Sequence, residues 1–170
     1  MLGEDYVAHL LERLSAEEFS ARPSLDVAVQ AFRALGNRPE EMIKALRQLH
    51  FYLPSGSNPD EHLPVIANTL RSTAADLELM KLEQLGGLAT AIFNRIACAE
   101  GDARGLFSGE SAAAYSAALG REVRIEEAQP VVNEMMATNL IMRKGHGVYG
   151  VTDPFVQEIW LERRSLEGKL

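Results

Sequence analysis

Hydrophobic side chains in the first half of the chain recur every three or four residues. This spacing puts them on one face of a helix, so the pattern predicts a series of amphipathic helices. The hydrophobic stripes fall within residues 4–14, 25–35, 39–53 and 60–79. We therefore expect residues 1–85 to form an all-helical bundle.

Glycine, proline and small polar residues mark where these helices begin and end. Ser15 and Glu18 have the spacing of a capping box, in which two side chains satisfy the first backbone N–H groups of a helix. Gly36 is placed to follow the end of one helix, and Asn37 is predicted to cap the next. The segment PSGSNPD at residues 54–60 is the clearest loop in the chain.

The second half of the chain begins at a Gly-Gly pair, and its sequence pattern predicts a mixture of helices and strands. The predicted elements are a helix from Leu88 that ends at Gly101, a short strand at Leu106-Phe107, a helix at Ser111–Leu119 capped by Ser108 and stopped by Gly120, a helix within Ile125–Asn139, strands at Leu140–Arg143 and Val148–Val151, and a last helix capped by Asp153. Three helices closed by a β-hairpin make a winged helix, a variant of the helix-turn-helix that binds DNA or protein. The predicted fold class is therefore mainly α, with a helical bundle at residues 1–85 and a winged-helix domain at residues 86–170.

The charge and the hydrophobic content narrow the class of protein. The chain has a net charge of −7, and 46% of its residues are hydrophobic, which is enough for a packed core. An acidic chain is a poor general binder of polyanions, because neutralising phosphates drives most non-specific affinity. No apolar run approaches the roughly 20 residues that span a bilayer, and the start of the chain does not resemble a secretory signal. We therefore expect a cytoplasmic protein without membrane contact, in which Cys98 is a buried and unreactive thiol.

The sequence offers no set of residues that predicts catalysis or a cofactor held by this chain. It has no G-x-x-x-x-G-K-[ST] loop for a nucleoside triphosphate, no G-x-S-x-G nucleophile motif, and no C-x-x-C or H-E-x-x-H metal motif. The histidines are dispersed along the chain, at positions 9, 50, 62 and 146. The acid pairs Glu40-Glu41 and Glu126-Glu127 stand at predicted helix starts, where they favourably meet the helix dipole. We expect a non-enzymatic chain with no catalytic and no metal-binding residues.

One set of side chains is a candidate nucleic-acid-binding surface. Two regions of a winged helix, the start of its third helix and the tip of its hairpin, face the same side and can straddle a phosphate backbone. The basic candidates in those regions are Arg121, Arg124, Arg143, Lys144 and His146, and the natural base readers on the third helix are Gln129 and Asn133. Three carboxylates on that helix, Glu126, Glu127 and Glu134, oppose phosphate binding. The alternative is that the basic residues are ordinary surface charge.

Three stretches of the chain resemble a known protein class. LGNRPEEMIKAL, residues 35–46, resembles the start of the sensor-2 helix in the lid of AAA+-type P-loop ATPases. LATAIFNRIA at 88–97 and LIMRKGHGVYGVTDPFVQEIW at 140–160 resemble the C-terminal winged helix of prokaryotic ATPases of that class. Composition alone favours interpreting Arg38 as an exposed arginine at a helix start. The resemblance implies instead that Arg38, at the position of the lid arginine, would reach the phosphates of ATP held with Mg²⁺ in a parent ATPase. The nucleotide-binding core is missing from the sequence, so another segment or protein would have to supply it.

Three functions follow from these observations. The first is a non-catalytic C-terminal module of an AAA+-type ATPase, used for regulation and for contact with DNA or protein. The second is a free-standing winged-helix transcription regulator whose helical half dimerises or senses a signal. The third is an adaptor whose winged helix binds protein. The partners implied are an ATPase core domain or another protein, and duplex DNA in the regulator.

Overall fold

The computed structural model describes residues 2–16 and 22–168, which form eight helices and three short strands. The helices are α1 (Leu2–Ala16), α2 (Leu25–Ala34), α3 (Pro39–Tyr52), α4 (Pro59–Gln84), α5 (Gly87–Ala97), α6 (Gly109–Leu119), α7 (Ile125–Ala137) and α8 (Pro154–Leu166), and the strands are β1 (Ala103–Arg104), β2 (Ile141–Gly145) and β3 (Val148–Val151). The strands form one antiparallel sheet in the order β1-β3-β2. The prediction of a mainly helical chain with a small β-hairpin is confirmed.

The chain divides into two compact units, Met1–Ala74 (unit 1) and Ala75–Leu170 (unit 2). The division falls inside α4, which contributes Leu63 and Ala67 to one hydrophobic core and Leu79 and Leu82 to another. The sequence placed the boundary at residues 85/86, after this helix. A helix that supplies side chains to two cores carries no loop signal at the point where the cores divide.

The core of unit 1 is built from the hydrophobic stripes of its helices. Val7 and Leu11 of α1 are buried, as are Phe32 of α2 and Leu46 of α3. Pro59 begins α4, where the Asn58 side chain accepts a hydrogen bond from the Asp60 N–H at 3.0 Å.

Since no helix in the described part of the chain is both long and apolar enough, none of them could cross a membrane.

The junction between α2 and α3 differs from its prediction. Asn37 has a left-handed φ of 56°, and its N–H donates to Phe32 O at 2.9 Å, so it closes the end of α2 together with Gly36. The N-cap of α3 is Arg38, one residue later. A residue whose backbone is committed to ending one helix cannot adopt the extended conformation that caps the next. Of the predicted capping box, Ser15 lies within α1 and Glu18 lies outside the described residues.

Unit 2 packs its helices and sheet around one core. Ile92 and Phe93 of α5 are fully buried, and so are Val132 and Met135 of α7. Strand β3 lies between its two neighbours, with Ala103 opposite Tyr149 and Ile141 opposite Val151. The helix predicted from Leu88 is confirmed as α5, but it ends at Ala97 and not at Gly101.

The local signals of unit 2 are mostly confirmed, with one wrong strand. The Ser108 hydroxyl accepts from the Ser111 N–H at 3.1 Å to cap α6, and Gly120 ends that helix with a φ of 66°. The first strand is Ala103–Arg104 and not Leu106-Phe107. Gly105, with a φ of 68°, ends the strand, and the Leu106 side chain enters the core instead.

Candidate contact surface of helix α7 and the β2–β3 hairpin

Helix α7 is anchored to the core along one face and exposed along the other. Ala128, Val132 and Met135 are buried at three- and four-residue spacing. The exposed positions of the helix are Ile125, Glu126, Gln129, Pro130, Asn133, Glu134 and Ala137. The helix therefore presents two carboxylates, two amides and no basic side chain to a partner.

The two arginines at the start of α7 are tied to one carboxylate. Arg124 is the N-cap residue, and its N–H donates to Glu127 Oε1 at 3.0 Å. Arg121 Nη2 lies 3.0 Å from Glu127 Oε2, and its Nη1 donates to Glu122 O at 2.9 Å. The Arg124 N–H, followed by the Arg121 side chain, lowers the pKa of Glu127. Much of the positive charge of Arg121 is therefore compensated within the chain.

The two predicted base readers contact each other. Gln129 and Asn133 are exposed and lie one helical turn apart, and Gln129 Nε2 donates to Asn133 Oδ1 at 3.1 Å. A base that used both amides in a bidentate manner would have to break this hydrogen bond.

The hairpin tip carries one exposed basic pair. His146 and Gly147 form the loop between β2 and β3. Arg143 Nε donates to Gly145 O at 3.1 Å, and its Nη2 lies 3.3 Å from His146 Nδ1, which accepts when that nitrogen is unprotonated. These contacts fold the Arg143 side chain along the loop, with both side chains still open to solvent.

Lys144, predicted at the tip, is held against the sheet. The pairing of β2 with β3 shifts register between Arg143 and Gly145, which leaves Lys144 as the extra residue. Its side chain crosses Gly150, where an added Cβ would lie 2.5 Å from Lys144 Cε, and its Nζ reaches Asp102 Oδ1 at 3.2 Å. Among the described residues, no hydrogen bond or ion pair joins these hairpin side chains to the candidates of α7.

Arg38 belongs to unit 1, at the start of α3. It is half-buried, and the first turn that follows it carries Glu40 and Glu41. Glu41 forms an ion pair of 2.6 Å with Lys44. The start of α3 thus combines one guanidinium with two carboxylates.

The sequence reasoning missed a groove in unit 2 and misjudged its thiol. Cys98 follows α5 directly and is exposed, so the prediction of a buried thiol is wrong. The apolar run that precedes it belongs to α5, whose buried face ends at Ala97. Cys98 and three arginines line an open groove beside α5 and α6. The sequence feature that could have indicated this groove is the run from Ser111 to Gly120, which contains no charged residue.

No group of three or more His, Cys, Asp and Glu side chains is arranged to hold a metal ion within residues 2–16 and 22–168. No protein family, curated protein or solved structure matches this chain.

Proposed function

We propose that α5–α7 and the three strands form a winged helix, and that unit 2 is a non-catalytic module for contact with another macromolecule. The order of elements supports this proposal: helix, strand, helix, helix and two strands, with β1 paired to β3. In this arrangement α7 occupies the place of the helix that contacts the partner in helix-turn-helix proteins.

The partner that suits α7 best is a protein, and the charge of its exposed face carries this conclusion. Glu126 and Glu134 are exposed on α7, and Glu127 compensates Arg121. Carboxylates on a contact helix repel phosphates, whereas they pair with the lysines and arginines of a protein surface.

If this chain is part of an AAA+-type ATPase, the protein partner of α7 would be the nucleotide-binding core of that ATPase. Unit 1 would then be the lid, with Arg38 directed at the phosphates of ATP bound with Mg²⁺. The start of α3 offers a single guanidinium beside Glu40 and Glu41, so the core would have to supply the remaining phosphate contacts.

Duplex DNA is the second candidate partner, favoured by the hairpin tip. Arg143 and His146 are exposed there, at a point where the wing of a DNA-bound winged helix meets the backbone. A free-standing transcription regulator would use this contact together with Gln129 and Asn133.

A DNA titration across a salt series separates these candidates. The intact chain is compared with the double variant Arg143→Ala/Lys144→Ala, and Arg33→Ala/Lys44→Ala in unit 1 serves as a control of equal charge change. We expect affinity no tighter than about 10⁻⁴ M at physiological salt, and the same salt slope in both variants. Tighter binding, with a slope that falls by about one unit per contact in the hairpin variant alone, would establish the DNA regulator.

A photo-crosslinking amino acid at Asn133 tests the protein partner directly. Asn133 is exposed at the middle of the α7 surface, and Arg33 of unit 1 is an exposed control position. We expect a crosslinked adduct between position 133 and a partner whose mass nuclease does not reduce, because the partner is a protein and not DNA. Equal adducts from both positions would contradict a contact through α7.

A further inference from the structure

A large open groove lies in unit 2, beside α5 and α6. Its volume is about 1020 Å³, at the upper limit of the roughly 300–1,000 Å³ that small-molecule pockets occupy. The apolar part of the groove is lined by the short side chains of Ala91, Ala114 and Ala118 and by Leu119. Since Ala114 and Ala118 are exposed, this surface is open to solvent. Its size and openness suit a row of side chains from a macromolecule better than an enclosed ligand.

Beyond Glu110 in its first turn, the exposed side of α6 lacks the polar residues that usually cover a surface helix. Ala113, Ala114, Ala117 and Ala118 are all exposed, while Tyr115 and Ser111 face inward. A helix with a polar outer face is the usual arrangement at a protein surface. Short side chains also let a second helix approach closely, at the short end of the 8–10 Å between packed helix axes.

The charged residues that line the groove are opposite in sign to the net charge of the chain. The whole chain is acidic, with a net charge of −7, yet the charged residues that line the groove are Arg95, Arg104 and Arg164. Arg104 is exposed and makes no side-chain hydrogen bond or ion pair within the described residues. Arg95 Nη2 lies 3.3 Å from Glu110 Oε1, but the Glu110 side chain is 83% exposed. A carboxylate from a partner could therefore replace Glu110 at little cost.

We propose that this groove docks an acidic amphipathic helix of a protein partner. A ridge of apolar side chains from that helix packs on the alanines of α5 and α6, and carboxylates beside the ridge meet Arg95 and Arg104. Charge complementarity selects this occupant: a basic helix would be repelled, and so would a second copy of the groove. The inference does not rest on the proposed role of α7, because it concerns a different set of side chains.

Two synthetic peptides of about 18 residues, or five helical turns, test the proposal. Both carry leucines at alternating three- and four-residue spacing, flanked by glutamates in one peptide and by lysines in its twin. We expect the acidic peptide to bind the full chain and to shift the NMR signals of Ala91, Ala114 and Ala118. The lysine twin should bind at least about tenfold more weakly. Absence of binding at millimolar acidic peptide, or equal binding of the twins, would overturn the proposal.

Three variants of the chain, one of them a control, locate the contact. Arg104→Glu should weaken the acidic peptide about tenfold, because it replaces an attraction with a repulsion. Arg143→Glu makes the same charge change at the hairpin tip and should leave the affinity unchanged. Ala118→Trp, at an exposed helical position, should block the groove while the thermal unfolding midpoint stays within about 2 °C. Equal effects of Arg104→Glu and Arg143→Glu, or an unblocked groove in Ala118→Trp, would place the peptide elsewhere and overturn the proposal.

Duplex DNA is the remaining competitor, since arginines also bind phosphates. The groove offers alanines and no row of amides to read bases, so we expect DNA not to displace the acidic peptide at physiological salt. Displacement by DNA that is lost in Arg104→Glu would assign the groove to nucleic acid and overturn the peptide proposal.

Discussion

Helices α6 and α7 follow each other in the chain and pack on the same core, yet their exposed faces differ in kind. Beyond its first turn, the outer face of α6 is made of alanines, and the charged residues that line the groove beside it are arginines. The outer face of α7 carries Glu126, Glu134 and a pair of amides. The two faces would attract partners of opposite charge.

The difference shows which part of a helix the fold constrains. Each helix has to bury one row of side chains, supplied by Tyr115 in α6 and by Val132 and Met135 in α7. The composition of the outer face contributes little to this burial, so a consistent outer pattern is informative about contacts with other molecules. The buried rows themselves also differ, because Tyr115 brings a hydroxyl into the core and Met135 does not.

Truncating the apolar anchor of α7 is expected to give the largest loss of stability. Met135 is fully buried, so Met135→Ala should lower the free energy of unfolding by about 2–5 kcal/mol through lost burial and an unfilled cavity. Denaturant unfolding can be followed by the fluorescence of Trp160, the single tryptophan, whose Nε1 donates to Asn94 Oδ1 at 3.0 Å in unit 2.

The control for Met135 is Met142, whose side chain is 40% exposed in β2. Met142→Ala should change the free energy of unfolding by no more than about 0.5 kcal/mol. Comparable losses in the two variants would mean that α7 is not anchored by Met135 in the way described.

Removing the hydroxyl of Tyr115, the polar anchor of α6, is expected to give the next largest loss of stability. The Tyr115 hydroxyl donates to Leu106 O at 3.1 Å in a buried position, so Tyr115→Phe leaves a carbonyl without its partner. We expect a loss of about 1–2 kcal/mol in the free energy of unfolding. Tyr149 is the matched control, because its hydroxyl makes no hydrogen bond within the described residues, and Tyr149→Phe should cost less than about 0.5 kcal/mol.

The pH dependence of Tyr115 provides a second measurement. Burial raises the pKa of Tyr115, so the folded protein holds this proton more tightly than the unfolded chain. Stability should therefore fall as the pH rises above the ordinary pKa of tyrosine, about 10, and Tyr115→Phe should lack that component. An unchanged alkaline profile in Tyr115→Phe would contradict the buried position of the hydroxyl.

The sequence predicted the elements of both units better than it predicted contacts between residues distant in the chain. Ser108, Gly120 and Asp153 act locally, and each ends or begins a helix as predicted. Strand β1 could not be placed, because its two residues are strands only through their pairing with β3, more than forty residues later. Asn37 was predicted to cap α3 but closes α2, and Cys98 was predicted to be buried but follows the end of α5. In both cases the local sequence fits either position, and the exact end of the preceding helix decides between them.

The candidate surface shows the same limit. The sequence placed Arg124 at the start of α7 and Arg143 in the hairpin correctly, since both positions depend on local signals. It could not show that Lys144 crosses Gly150 to reach Asp102, because that contact joins β2 to the turn before β1. The groove of α5 and α6 was equally hidden, since its arginines come from three separate elements.

The smallest effect is expected at the start of α7, where Glu127 forms an ion pair with Arg121. The Arg124 N–H, and then Arg121, lower the pKa of Glu127, so its carboxylate is more acidic in the folded protein than in the unfolded chain. This contribution to stability is present above the unfolded pKa, about 4.3, and is lost as the pH falls through the folded value. Glu127→Gln should therefore flatten the acid side of the stability profile, measured by Trp160 fluorescence.

A matched carboxylate tests whether the effect belongs to this contact. Glu134 lies on the same helix, and its side chain makes no described hydrogen bond or ion pair, so Glu134→Gln should retain the acid-dependent component. Glu127→Gln also releases Arg121 from its 3.0 Å ion pair, whereas Glu134→Gln releases no cation. If α7 repels DNA partly because Glu127 compensates Arg121, Glu127→Gln should steepen the salt dependence of DNA binding more than Glu134→Gln does. Equal salt slopes in the two variants would mean that total charge, and not the pairing of Arg121 with Glu127, governs how this face meets a phosphate backbone.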